Sequence, residues 1–97
     1  MELKEVVKDL KCLARELSKE IPNMSWYLFG SLLRQKTLPS DIDLLIVYPH
    51  GVEARKLRMK LNAICLRLPV DLLLLREDEE LELNFIAEQS AMCIFPS

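Results

Sequence analysis

An excess of positive charge is the first thing this sequence lacks: 13 Lys and Arg stand against 15 Asp and Glu in 97 residues, a net charge of −2. Domains that hold nucleic acid through a sequence-independent field carry a clear surplus of Lys and Arg, so direct nucleic-acid binding is not expected. Histidine is nearly absent, His50 being the single copy, and the 3 cysteines, Cys12, Cys65 and Cys93, are odd in number and widely spaced. That set excludes a zinc site of the usual nitrogen and sulfur type, and any metal would have to be held by carboxylate oxygens. The cysteines read as buried, reduced thiols rather than a disulfide framework. No apolar run approaches the roughly 20 residues of a membrane span, because Asn62, Arg67, Pro69 and Asp71 interrupt the stretch from Leu61 to Leu75. The opening Met1-Glu2-Leu3-Lys4-Glu5-Val6-Val7 is charged and has no continuous apolar core of the kind a secretory signal needs, so a cytoplasmic location is expected.

What is present is apolar mass, 51% of the residues, with a mean hydropathy of +0.12. Domains commonly run about 100 to 150 residues, so the expected organisation is one domain over 1–97, with no room for a separate acceptor-binding module. Within it, an N-terminal amphipathic helix occupies 1–21 and a core follows over 26–95. Leu3, Val6, Val7, Leu10, Leu13, Ala14 and Leu17 recur at helical spacing, which predicts a helix over 2–20 that Pro22 and Asn23 end. Trp26 to Phe29 reads as a buried strand running straight into Gly30-Ser31, a strand-to-helix turn. A short helix over 32–36 is expected before Pro39, then a strand over 41–48, whose Ile, Leu and Val content ends at Pro49-His50-Gly51. Residues 52–67 read as a second amphipathic helix, with Leu57, Leu61, Ile64, Cys65 and Leu68 on one face. Val70 to Leu75 is a third strand. Glu77 to Glu80 opens a helix with Leu81, Phe85 and Ile86 as its buried side, and a short strand over 91–95 ends at Pro96. The order α-β-α-β-α-β-α-β predicts an α+β fold: a small mixed sheet of about four strands covered by helices on one side.

Two carboxylates interrupt the second strand. Asp41 and Asp43, two residues apart, leave the same face about 7 Å apart. A like-charged pair of this kind keeps both groups ionised most economically around a divalent cation. Magnesium suits them, since it takes hard oxygen ligands and is commonly held by one or two carboxylates plus substrate phosphates. Asp71 is the only charged residue in its own apolar strand, and it would face the same surface if that strand lay beside the second. Gly30 and Ser31 supply the complementary half. Glycine permits close approach of a phosphate, the following helix start offers free N–H donors, and the Ser31 hydroxyl adds another. Arg34, about one turn on, can add a charge-assisted bond to the same phosphates.

Phe29-Gly30-Ser31, nine intervening residues, Asp41-Ile42-Asp43-Leu44-Leu45-Ile46-Val47 and the isolated Asp71 together resemble the nucleotidyltransferase superfamily that includes DNA polymerase β. In size the chain is similar to its minimal, antitoxin-type members. The resemblance spans about Trp26 to Phe95 and implies the nucleotidyltransferase fold, with two magnesium ions bridging a nucleoside triphosphate. By that likeness Asp41, Asp43 and Asp71 would be the catalytic and metal-binding carboxylates, with Asp71 also helping to deprotonate the acceptor hydroxyl. Gly30, Ser31 and Arg34 would hold the phosphates. Relatives carry Gly-Ser-Arg-x-Arg-Gly where this chain has Gly30-Ser31-Leu32-Leu33-Arg34-Gln35, so one of the two arginines is kept. The implied reaction is attack of a hydroxyl on the α-phosphorus with loss of pyrophosphate. The implied substrate is ATP. The implied acceptor is a Tyr of a partner HEPN-type toxin, silenced by transfer of AMP as in a toxin-antitoxin pair. Two further readings stand beside it: a binding module that neutralises its partner by occlusion, and an adenylyltransferase of small molecules. The apolar fraction also allows a docking surface for another copy or another chain.

Overall fold

The computed structural model describes residues 3–30, 42–67 and 70–96, with side chains described for 4–30, 42–62 and 70–96. The expected helix over 32–36 lies outside the described residues. Helix α1 covers Leu3–Ser18 and is followed by strand β1, Ser25–Phe29, and strand β2, Ile42–Tyr48. Helix α2, Ala54–Arg67, leads to strand β3, Val70–Arg76. Two short helices, α3 at Glu77–Leu83 and α4 at Phe85–Gln89, precede strand β4, Met92–Phe95.

The four strands form one sheet in the order β3-β2-β1-β4. β1 pairs antiparallel with both β2 and β4, whereas β2 and β3 run parallel. A parallel pair needs a crossover, and α2 supplies it. The sheet is therefore mixed, as the element order predicts, and its strand order places β1 and β2 inside and β3 and β4 at the edges.

Alternation along the strands divides the apolar residues between two faces. Ile42, Leu44, Ile46 and Tyr48 of β2 join Trp26 and Leu28 of β1 under Val6, Leu10 and Ala14 of α1 and Leu57 and Leu61 of α2, and all of these are buried. The two long helices thus cover one side of the sheet, held mainly by removal of that apolar surface from water. The opposite face has a smaller cluster, Leu45, Val47 and Leu75, against which Tyr27, Phe29, Leu73, Phe85 and Ile86 pack.

Three expectations are corrected. The acidic segment does not continue as one helix: Asn84 takes a left-handed conformation, φ 52°, and separates α3 from α4. A short polar side chain tolerates that backbone better than most, and the bend turns Phe85 and Ile86 back onto the sheet. Leu81, expected on the buried side, is instead 82% exposed. Cys12 and Cys93 are exposed free thiols rather than buried ones; each lies on the outward side of its element. Cys65 lies outside the described side chains. The basic residues Arg55, Lys56, Arg58 and Lys60 are exposed, as is His50. Among the described residues no helix is long and apolar enough to cross a membrane.

Burial raises the phenol pKa of Tyr27, with the Cys93 thiol across the strand pair adding to the shift, and burial followed by the carboxylate of Glu79 raises that of Tyr48. The fold therefore favours both neutral phenols. Their contribution is fully present below the unfolded tyrosine value of about 10 and is lost as pH rises through the higher folded values. Alkaline unfolding should begin above about pH 10, and Tyr48→Phe should move its midpoint upward in a circular-dichroism titration. An unmoved midpoint contradicts this assignment.

Candidate active site

Strand β1 ends at Phe29, and Gly30 follows with φ +79°, a left-handed conformation that side-chain-bearing residues rarely adopt. A Cβ built on Gly30 would collide with an oxygen of the Asp43 carboxylate and lie 3.1 Å from its Cγ. Glycine is therefore required here twice, by the turn and by the carboxylate that fills the space a side chain would occupy.

The register fixes what stands beside Asp43. Phe29 is its direct partner on β1 and Asp71 its direct partner on β3. Residues directly opposite in a sheet project to the same face, so Phe29, Asp43 and Asp71 form a row across three strands. Strand alternation agrees, since Asp43 shares its side with Leu45 and Val47, and Asp71 with Leu73 and Leu75, the residues of the second, smaller cluster. The row lies at the ends of β2 and β3 that Ile42 and Val70 begin, where the apolar cluster gives way to polar side chains. Asp43 is half-buried and Asp71 exposed.

Like charges directly opposed on neighbouring strands, about 5 Å apart, destabilise a sheet unless a counter-charge answers them. Two carboxylates on one face are also the hard-oxygen donor set that magnesium uses alongside substrate phosphates, so the described pair fits a magnesium site. Among the described residues no group of three His, Cys, Asp or Glu assembles. Asp41, the expected third carboxylate, lies outside the described residues, as do Ser31 and Arg34. Of the residues singled out in the sequence, Gly30, Asp43 and Asp71 are brought together.

The sequence reading named Phe29 in its motif and Phe85 on the buried side of a helix but gave neither a place beside the carboxylates. Their ring centroids are 5.0 Å apart with the planes at 90°, an edge-to-face contact. Phe85 stands at the start of α4, where the Ile86 N–H donates to the Glu80 carboxylate at 3.0 Å and the Asn84 N–H donates to the Glu80 carbonyl at 2.7 Å. The signal for Phe29 was its place directly before Gly30. For Phe85 only the Asn84 bend brings the ring to this end of the sheet.

A family model described as polymerase beta, nucleotidyltransferase, matches residues 11–96. The match begins within α1 and takes in every strand. No curated protein and no solved structure gives a match.

Proposed function

This chain belongs to the polymerase beta nucleotidyltransferase family, and on that premise we propose that it moves AMP from ATP, with magnesium, onto a hydroxyl of a partner protein. The observation that carries the reading is the direct opposition of Asp43 and Asp71, with Gly30 closed against the Asp43 carboxylate. In the reaction the acceptor oxygen bonds to the α-phosphorus while the bond from that phosphorus to the pyrophosphate oxygen breaks, and pyrophosphate leaves. Asp71, the more exposed carboxylate, accepts the hydroxyl proton or orients the group that does. Gly30, Ser31 and Arg34 hold the triphosphate through backbone and side-chain donors. Magnesium bound by Asp41, Asp43 and Asp71 would supply charge screening at the phosphates. Positioning and electrostatics supply most of the catalysis in such a transfer, so a small sheet with carboxylates at one end suffices.

The acceptor we propose is a Tyr of a HEPN-type toxin encoded beside this chain, a helical protein with an Arg-x4-His motif, which makes this chain the antitoxin of a cytoplasmic pair. The exposed Leu81 and Leu83 on α3 support a protein partner rather than a small-molecule acceptor, because large apolar side chains left in water favour contact with another surface. Co-expression tests catalysis against occlusion: the wild-type chain should restore growth in cells making the neighbouring toxin, and Asp71→Asn should not. Full rescue by Asp71→Asn and Asp43→Asn alike would instead support neutralisation by occlusion.

A further inference from the structure

The row across the open end of the sheet does not stop at the carboxylates. Phe29 stands one strand spacing, about 5 Å, from Asp43, on the flank opposite Asp71. Phe85 meets it edge to face at 5.0 Å. Both rings are half-buried, whereas Leu45, Val47 and Leu75 further along the same face are fully packed. Phe85 is also held from two directions: its helix is tied to Glu80 by the Ile86 and Asn84 N–H groups, and its ring rests on β1. A fixed, partly exposed aromatic pair thus adjoins the carboxylates where the triphosphate would be positioned.

We infer that Phe29 and Phe85 form a stacking subsite for the nucleobase of the triphosphate, an inference that rests on the nucleotide-transfer reading above. With Asp71 serving the acceptor on one flank of Asp43, the nucleoside falls on the other, one ribose away from the α-phosphorus and over the rings. Stacking engages the π-face that every base presents, so the subsite grips the base without selecting it through hydrogen bonds.

Calorimetric titration of the full chain in magnesium with ATP and with ribose 5-triphosphate, which lacks the base, tests the subsite. The wild type should bind ATP about fivefold or more tightly than the baseless analogue. Phe85→Leu, which keeps an apolar group on the second cluster, should lose most of that difference while binding ribose 5-triphosphate as before. Phe85→Trp should keep the preference. Equal wild-type affinity for the two ligands, or an ATP preference unchanged in Phe85→Leu, overturns the base subsite and leaves the transfer reading standing. Failure of the wild type to bind either ligand overturns both. Should Phe85→Leu not fold, Phe29→Leu read in the same way decides the matter.

Discussion

Asp43→Asn should lower nucleotidyl transfer by about two to three orders of magnitude, the usual cost of deleting one preorganised charge at a reacting phosphate, while leaving the chain folded. The amide has the shape of the carboxylate, so it occupies the space beside Gly30 without new contact, and the carboxylate charge is lost. Ground-state affinity and rate should separate: with the Gly30 turn intact, ATP binding should weaken less than turnover does. Asp71→Asn should also lose transfer. Because Asp71 is exposed, loss of its charge should cost the fold little, and its melting temperature measured in chelator should stay close to that of the wild type. Unchanged stability with a loss of activity is the signature of a residue kept for chemistry. Activity within twofold of wild type in either variant would contradict the site, as would a matching collapse of the fold.

Gly30→Ala should have the second largest effect, and on stability as well as activity. A left-handed backbone at φ +79° costs a side-chain-bearing residue about 1 to 3 kcal/mol. The added methyl would also fall where the Asp43 carboxylate sits. Either the turn opens or the carboxylate moves, and a displacement of about 1 Å at a reacting centre can cost about 100-fold in rate. Differential scanning calorimetry should show a clear fall in melting temperature, and transfer should fall further than the loss of folded protein explains. Gly51 is an internal control: it also has a positive φ, +98°, but a Cβ there meets nothing within 4 Å. Gly51→Ala should therefore lower stability modestly and leave transfer unchanged.

The contrast between the two glycines shows what a sequence can and cannot convey. That the chain turns at Gly30 was legible from its place between an aromatic strand and a serine. That its missing side chain makes room for Asp43 was not, because the contact joins residues 13 positions apart through strand pairing. The strands were legible from runs of apolar residues between turn signals, and β3 was found despite its leucines as the apolar run that follows Pro69. The neighbourhood of Asp43 and Asp71 was conditional on strand order, and parallel register supplies it. Periodicity misled at α3, where Leu81 and Phe85 keep helical spacing across Asn84. The left-handed Asn84 breaks the helix and rotates the later residues, so Phe85 meets the sheet although Leu81, four residues earlier, is exposed. The exposed thiols were misread for a simpler reason: cysteine composition speaks to redox compartment more than to which face a residue occupies.

The central claim is that the carboxylate row carries transfer of the α-phosphoryl group with its nucleoside. It is tested most directly by incubating the chain, magnesium and the proposed acceptor, the protein encoded beside it, with ATP labelled in parallel at the α- and γ-phosphates. Label from the α position should become fixed to that protein in wild type and be lost in Asp43→Asn, while γ label should appear only in pyrophosphate. Fixation of the γ label, or α labelling that persists in Asp43→Asn, would contradict the account.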